Sequence, residues 1–379
     1  MKFNFLLSAA TRVAPVIFVL GLLASCSSGP EKPKPAELAP NAGLLDVRLA
    51  WSAKVGAVNF PLDVKVSANT VAVASSDGTV ASFDARTGTE LWRTNVGGQI
   101  GAGVGSDGRF AAVVTRANDL IVLDGGREVW RQKLSAQGFT APLVAGGRVF
   151  LLAADRSVTG FDAQSGRKLW TQQRPGESLV LRQSGALLAV GDTLVAGLSG
   201  RLVGINPSNG TIRWESPIAS PRGTNDIERL VDLVGRVSRD GDVVCARAFQ
   251  AAVGCVDAVR GTQLWTKPAF GSVGVHGDDK YVYGAESDGK LVAWRRTDGE
   301  RAWVSERLRH RSLTAPLVVG RSIALGDDAG LVHLLSREDG AALTRVATDG
   351  SAVVAAPVLA DGTLVVVTRN GGVFGFKPE

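Results

Sequence analysis

The sequence predicts an all-β protein, an eight-bladed β-propeller whose blades are four-stranded antiparallel sheets. Three observations predict it: one turn-and-strand motif returns at a period near 40 residues, no segment shows sustained helical periodicity, and 46 of the 379 residues are glycine. A repeat of this length with four short strands is typical of a propeller blade, because each unit buries its apolar faces only against a neighbouring copy.

The first element is a predicted lipoprotein signal peptide, residues 1–25. Two basic residues precede an apolar stretch, Val13–Leu23, that is too short for a membrane span of about 20 residues. It ends in Leu23-Ala24-Ser25-Cys26, which resembles the lipobox of bacterial lipoproteins. The resemblance implies that Cys26 is acylated, and Ser27 after it favours sorting to the outer membrane. The alternative is an ordinary signal peptide with a chance cysteine.

Residues 26–43 form the second element, a predicted tether. Four prolines stand between Ser27 and Gly43, with almost no apolar bulk. Such a segment cannot bury enough surface to fold, so we expect a semi-extended linker from the membrane. Residues 44–379 contain no second linker and are predicted to form one propeller.

The blade motif is clearest in Phe83–Trp92 and Phe161–Trp170, where Asp, Gly and Trp follow one another at intervals of four. Asp starts the turn by bonding nearby backbone groups, and Gly supplies a positive φ angle. The segment ending in Trp is predicted to be the outer strand, with the Trp packed between sheets. Seven copies place a Gly at this offset: Gly88, Gly126, Gly166, Gly210, Gly261, Gly299 and Gly340.

The number of blades follows from counting the position at which each copy of the motif ends. These positions are Trp51, Trp92, Trp130, Trp170, Trp214, Trp265, Trp303 and Thr344. The last hairpin, near Gly371–Val373, has no outer strand after it, and Trp51 has no hairpin before it. We therefore expect the strand around Val47–Trp51 to complete the C-terminal blade, which closes the ring and removes free sheet edges.

The repeat resembles that of pyrroloquinoline-quinone dehydrogenases over nearly all of residues 44–379. This resemblance predicts blades rather than a cofactor, because the adjacent cysteines that such enzymes carry over their cofactor are missing. His276, His310 and His333 lack metal-ligand spacing, and no nucleophile or phosphate-binding motif occurs. We predict no catalytic residue, metal or cofactor; a periplasmic quinoprotein-like dehydrogenase is the alternative.

The charge distribution bears on partners. The net charge of +6 falls to about +4 without the signal peptide, which carries Lys2 and Arg12. Lys and Arg are scattered, without a basic stripe or interleaved aromatic residues, so nucleic-acid binding is unsupported.

Cys245 and Cys255 flank a predicted hairpin whose turn is centred near Gln250. Positions that sum to 500 face each other across that turn, so the two cysteines are expected to be cross-strand neighbours. In an oxidising periplasm we predict a structural disulfide. Two reduced, buried thiols are the alternative.

Two connections are overlong. Successive Trp sites lie 38–41 residues apart, except for 44 from Trp170 to Trp214 and 51 from Trp214 to Trp265. The extra length lies in residues 172–185 and 217–240. Insertions in repeat proteins lie on one face, often the binding face, and Leu with Arg on a rigid scaffold suits a protein-binding hot spot. The alternative is that these leucines only pack within their own loops.

The lipobox, tether, eight blades and two loops together resemble the BamB family, lipoproteins of the outer-membrane β-barrel assembly machinery. In that family a Leu-x-Leu-Arg loop, and an acidic loop after an Ile-(Asp/Glu)-Arg-Leu run, contact the POTRA domains of the central BamA-type barrel protein. The resemblance implies partner contacts at Leu179, Leu181 and Arg182, and at Arg229 and Asp232. Val234 stands where the family often has a second Asp, which weakens the acidic half of this site.

The resemblance also implies a role and a location. It predicts a non-catalytic scaffold, lipid-anchored at the periplasmic face of the outer membrane, with other assembly lipoproteins and unfolded outer-membrane protein precursors as further partners. A propeller lipoprotein that binds another envelope protein is a second alternative.

Overall fold

The computed structural model describes Met1, residues 33–174 and residues 179–378. Within them, strands β1 to β32 form eight four-stranded antiparallel sheets, the blades of an eight-bladed β-propeller, as predicted. Residues 35–379 form one compact unit. The predicted signal peptide and Cys26 lie outside the described residues. Among the residues described, no helix has the length and apolar character to cross a membrane.

The first strand, β1 (Val47–Lys54), belongs to the last blade, and the other blades follow in chain order. From inner to outer strand, blade 1 is β2 (Lys65–Ser67), β3 (Thr70–Ala74), β4 (Thr79–Asp84) and β5 (Glu90–Asn95). Blade 2 is β6 (Gly105–Ser106), β7 (Phe110–Val114), β8 (Asp119–Asp124) and β9 (Arg127–Lys133). Blade 3 is β10 (Leu143–Ala145), β11 (Arg148–Leu152), β12 (Val158–Asp162) and β13 (Lys168–Gln172). Blade 4 is β14 (Leu187–Val190), β15 (Thr193–Leu198), β16 (Arg201–Ile205) and β17 (Ile212–Pro217).

The second half of the ring repeats this order. Blade 5 is β18 (Leu233–Asp240), β19 (Val243–Ala248), β20 (Ala252–Asp257) and β21 (Thr262–Pro268). Blade 6 is β22 (Val275–Gly277), β23 (Tyr281–Ala285), β24 (Leu291–Arg295) and β25 (Arg301–Ser305). Blade 7 is β26 (Leu317–Val319), β27 (Ser322–Gly326), β28 (Leu331–Ser336) and β29 (Ala342–Ala347). Blade 8 is β30 (Val358–Ala360), β31 (Thr363–Val367), β32 (Gly372–Pro378) and, as its outer strand, β1.

The ring closes as predicted, by pairing of the first strand with the last. β1 runs antiparallel to β32, with Val47 opposite Pro378 and Trp51 opposite Gly375. The two ends of the chain thus supply one blade together, and the edge of the last sheet is covered.

The repeat motif joins each blade to the one before it. Gly166 has a φ of 71°, and a Cβ added there would lie 2.6 Å from the Trp130 ring of the preceding blade. The Trp130 indole N–H donates to the Ala163 carbonyl, at 2.8 Å, in the same turn. Glycine is therefore needed both for the backbone angle and for room beside the indole. The same indole-to-carbonyl bond to the next blade is made by Trp51, Trp170, Trp265 and Trp303.

Thr344 replaces the eighth Trp because no repeat turn faces it. Blade 8 has the two chain ends where the other blades have the turn between third and outer strands. Blade 8 therefore has no turn glycine on which an indole at position 344 could pack. Instead, Leu45 and Val47, which lead into β1, pack against the apolar cluster between blades 7 and 8.

The core lies between blades. Among the described residues, buried apolar side chains form eight clusters, each drawn from two neighbouring blades. Burial of apolar surface contributes roughly 25 cal/mol per Å². Because each blade packs against two others, the ring distributes this contribution around its whole circumference.

The strand order gives the propeller two distinct faces. One, which we call the loop face, carries the connections from each outer strand to the next inner strand, and also the turns between second and third strands. The opposite face, the turn face, carries the repeat turns. The described part of the predicted tether, residues 33–43, has no regular secondary structure, yet it contacts the side of the propeller.

Candidate partner-binding site

Both overlong connections lie side by side on the loop face. The first loop, residues 179–186 of those described, leads into β14, and the second loop, residues 218–232, leads into β18. The second loop is shorter than the insertion predicted from the sequence, because Leu233–Asp240 forms the inner strand of blade 5. Gly185 forms a β-bridge with Val234, and the Gly235 N–H donates to the Ser184 carbonyl at 2.8 Å. The two loops are therefore one surface.

Asp232 holds the first loop in place. Its carboxylate accepts the backbone N–H of Leu181 at 2.9 Å and lies 3.5 Å from the Arg156 guanidinium. Arg156 in turn donates to the Leu179 carbonyl at 3.1 Å. The Asp232 side chain is 19% exposed and that of Arg156 only 7%. A largely buried ion pair with hydrogen bonds to backbone on both sides fixes a loop more firmly than an exposed pair does.

The predicted contact residues divide into two groups. Leu179 and Arg182 face solvent, and the Arg182 guanidinium lies 5.9 Å from the centre of the Phe139 ring. Leu181 is half-buried and, with Asp232, lines a small cavity between the loops. Arg229 is half-buried in the second loop. The outward surface is thus an apolar side chain beside a cation, supported from beneath by Leu181 and Asp232.

Arg156 is the residue that the sequence analysis missed. It lies in the turn between β11 and β12 with a φ of 63°, where the equivalent turn of blade 1 has Gly78 with a φ of 95°. A long side chain at a position that favours glycine is an unusual choice. That departure from the repeat was the available signal.

The central channel is crossed beneath the first loop by buried polar side chains. Asp63 accepts a hydrogen bond from the Ser184 hydroxyl, and Arg236 donates to the Pro357 carbonyl at 2.6 Å. Burial raises the pKa of the Asp63 carboxyl and lowers the pKa of Arg236 to about 10. These four residues link the walls of the channel, and Asp63, Ser184 and Arg236 line both a cavity of about 690 Å³ on the loop face and one of about 260 Å³ behind it.

His276, in the inner strand of blade 6, is uncharged. Its Nδ1 accepts the Val318 N–H at 3.1 Å, which requires the neutral ring. Burial, with the nearby charges of Arg236 and Arg296, lowers its pKa to about 3. This histidine is therefore a hydrogen-bond acceptor between two blades.

No metal centre is formed by the part of the chain that the structure describes: nowhere in it do three His, Cys, Asp or Glu side chains cluster closely enough to bind an ion. His333 pairs with the buried carboxylate of Asp327 at 2.9 Å, and His310 lies in a loop-face connection with a φ of 59°.

The two propeller cysteines are cross-strand neighbours. Cys245 of β19 lies opposite Cys255 of β20, and their sulfur atoms are bonded in this structure. Both side chains are buried between blades 5 and 6. A disulfide between them in the exported protein remains a prediction.

Comparison with known proteins shows the family to which the chain belongs. A family model described as outer membrane protein assembly factor BamB matches residues 76–305. The protein of that name from Burkholderia pseudomallei (strain K96243) is 38% identical over 381 residues, covering 99% of this chain and all of that relative. That from Bordetella pertussis is 34% identical and covers 96% of both chains. The crystal structure of BamB from Moraxella catarrhalis superposes with a TM-score of 0.80 at 24% identity, covering 88% of this chain and all of that one.

Proposed function

Because the chain belongs to the family of outer membrane protein assembly factor BamB, we propose that it is a non-catalytic scaffold of the outer-membrane β-barrel assembly machinery. In this proposal residues 1–25 are removed, Cys26 is acylated and residues 26–43 connect the anchor to the propeller of residues 44–379. The propeller then acts at the periplasmic face of the outer membrane.

One observation carries the proposal: two loops from different blades form a single surface on the loop face. The Asp232 carboxylate bonds the Leu181 N–H across a sequence separation of 51 residues. A surface organised before binding loses less conformational entropy when a partner docks, which favours affinity.

The partner we propose is the POTRA region of a BamA-type barrel protein. Leu179, 39% exposed, supplies an apolar anchor, and Arg182 supplies a cation that pairs with carboxylates or stacks on aromatic rings. Other assembly lipoproteins and unfolded barrel precursors belong to the same proposed assembly, without a site assigned to them.

Photo-crosslinking in cells tests this proposal. A crosslinking amino acid at position 179 or 182 of the full-length lipoprotein should capture the central barrel protein. The same amino acid at Gln164, exposed on the turn face, is the matched control and should not. Capture of a different envelope protein from 179 and 182 would overturn the proposed partner.

A charge reversal tests the same surface by affinity. Arg182→Glu should lower recovery of the partner about tenfold, the effect of roughly 1.4 kcal/mol, while leaving the melting temperature unchanged. Arg127→Glu, at another exposed arginine at the start of β9 on the turn face, should leave recovery unchanged. A quinone cofactor that co-purifies with the protein would argue for the dehydrogenase instead.

A further inference from the structure

Residues 36–45, which we call the strap, lie along the outside of the propeller. At one end the Ala36 N–H donates to the Arg309 carbonyl at 2.9 Å, and at the other the Leu44 N–H donates to the Leu343 carbonyl at 2.8 Å. Between them the Asn41 amide donates to the Arg345 carbonyl at 3.0 Å. The strap therefore follows β29, the outer strand of blade 7, from one face of the ring to the other.

Two arginines of blade 7 and its entry loop hold the ends of the strap. Arg311 donates to the Ala36 carbonyl and to the Asp327 carboxylate, each at 3.1 Å. Asp327 is fully buried and is also bonded by His333, so the position of Arg311 is set by the blade itself. Arg321 donates to the Leu44 carbonyl at 3.0 Å. The strap thus meets donors that the propeller already holds in place.

Leu38 gives the strap its apolar contact near the loop face, and Leu45, at the other end, packs between blades 7 and 8. Leu38 is half-buried and packs against the cluster between blades 6 and 7, which includes Tyr283 and Ile323, while its neighbours Glu37 and Ala39 are exposed. Leu44, in the same segment, is 62% exposed. Leu38 therefore packs against the propeller, whereas the chemically identical side chain of Leu44 does not.

The strap begins on the loop face. Arg309 lies in the connection between β25 and β26, which is on the same face as the two partner-binding loops. Leu44, in contrast, bonds the start of β29, at the turn face. Among the described residues of the tether, the contacts with the propeller therefore begin on the face that carries Leu179 and Arg182.

We propose that the strap turns the loop face toward the lipid surface, so that the partner-binding loops work next to the membrane. This rests on the proposed acylation of Cys26 and on the proposed partner site. Nine residues lie between Cys26 and Ala36, and whatever their conformation these two residues are at most about 35 Å apart. A tether free up to β1 would be about twice as long and would allow either face to approach the membrane.

The docking of the strap is tested by amide hydrogen exchange on the full mature lipoprotein in detergent micelles. Leu38→Asp should raise the exchange rates of the two hydrogen-bonded amides of the strap, those of Ala36 and Leu44, at least tenfold. Leu44→Asp makes the same chemical change at an exposed side chain and should leave those rates unchanged. Unprotected exchange of the strap in the wild type, or equal rates in both variants, would overturn the proposal.

The orientation is tested by energy transfer in liposomes that contain an acceptor-labelled phospholipid. A donor dye is placed at Ser287→Cys on the loop face or at Thr297→Cys on the turn face; both positions are exposed and both belong to blade 6. Transfer should be greater from position 287, and Leu38→Asp should reduce the difference. Equal transfer from both positions would overturn the proposed orientation.

These readouts separate this proposal from the proposed function. Mass spectrometry of the N-terminal peptide reports acylation of Cys26 directly, and crosslinking from position 182 reports the partner. If the protein is acylated and captures its partner but the strap amides are unprotected, the proposed docking of the strap is refuted and the proposed function is not.

Discussion

At the scale of single residues, Asp232 acts on the partner site from beneath. Family resemblance implies that it touches the partner, yet its carboxylate accepts the Leu181 N–H and pairs with Arg156 within the molecule. Removing one member of a buried pair leaves the other charge without compensation, which costs more than the pair itself contributes. Part of any effect of Asp232 on binding should therefore come from a displaced Leu-x-Leu-Arg segment.

The corresponding prediction concerns Arg156, which is too buried to meet a partner directly. Arg156→Ala should weaken partner binding by about 1–2 kcal/mol, and Asp232→Ala by at least as much, because each releases the first loop. Since both act through one ion pair, the double variant should bind no more weakly than Asp232→Ala alone. Binding of the purified lipoprotein to its partner, measured by calorimetry, checks this.

The control for that cycle is Arg213→Ala, which breaks the exposed pair with Asp192 on the turn face and should leave affinity unchanged. Strictly additive losses in Arg156→Ala and Asp232→Ala would show that the two residues act separately.

At the scale of elements, the sequence was sufficient to predict the blades but not the contacts between the loops of different blades. The requirements of the repeat turn recur in every copy. Its glycine is needed for a positive φ angle, and its Trp packs on the same turn of the next blade, so the periodicity of the sequence reveals both. The bond from Leu181 to Asp232 spans 51 residues and has no periodic counterpart. The docking of the strap on blade 7 was not predicted for the same reason, because a single Leu38 among prolines forms no periodic pattern.

The hairpin β19–β20 is a local element of this kind, and its two cysteines lead to a testable prediction. We expect a disulfide between Cys245 and Cys255 in the exported protein, where redox conditions permit it. Unfolded, unreduced protein treated with an alkylating agent should show both cysteines unmodified by mass spectrometry. Two alkylated cysteines would mean that the thiols are reduced and merely adjacent.

The contribution of that disulfide to stability should be modest, since it closes a loop of only 11 residues, 245 to 255. Chain-entropy arguments give at most about 3 kcal/mol for such a loop. Replacing both cysteines by Ala should therefore lower the urea midpoint, and a reductant should lower that of the wild type while leaving the variant unchanged.

At the scale of the whole molecule, the ring depends on one strand pair that no turn connects. Each of the remaining seven outer strands is connected to its blade by a repeat turn, whereas β1 and β32 come from opposite ends of the chain. Once this pair opens, blades 8 and 1 lose the cluster between them, which includes Trp51 and Val373. We therefore expect unfolding to begin at the closure.

A pair of engineered disulfides tests this expectation. Ala53 lies opposite Val373 across the closure, and Thr94 lies opposite Val80 at the equivalent position of blade 1. Oxidised Ala53→Cys/Val373→Cys should slow unfolding in denaturant more than oxidised Val80→Cys/Thr94→Cys, because only the first crosslinks the strand pair expected to open first. The same variant should also raise the denaturant midpoint more. The first closes a loop of more than 300 residues, for which chain entropy gives roughly 6 kcal/mol, and the second closes 15 residues, for about 3 kcal/mol. Both bury one Cys in place of a fully buried Val, so packing losses should match. Equal unfolding rates of the two oxidised variants would show that the ring opens first somewhere other than between β1 and β32.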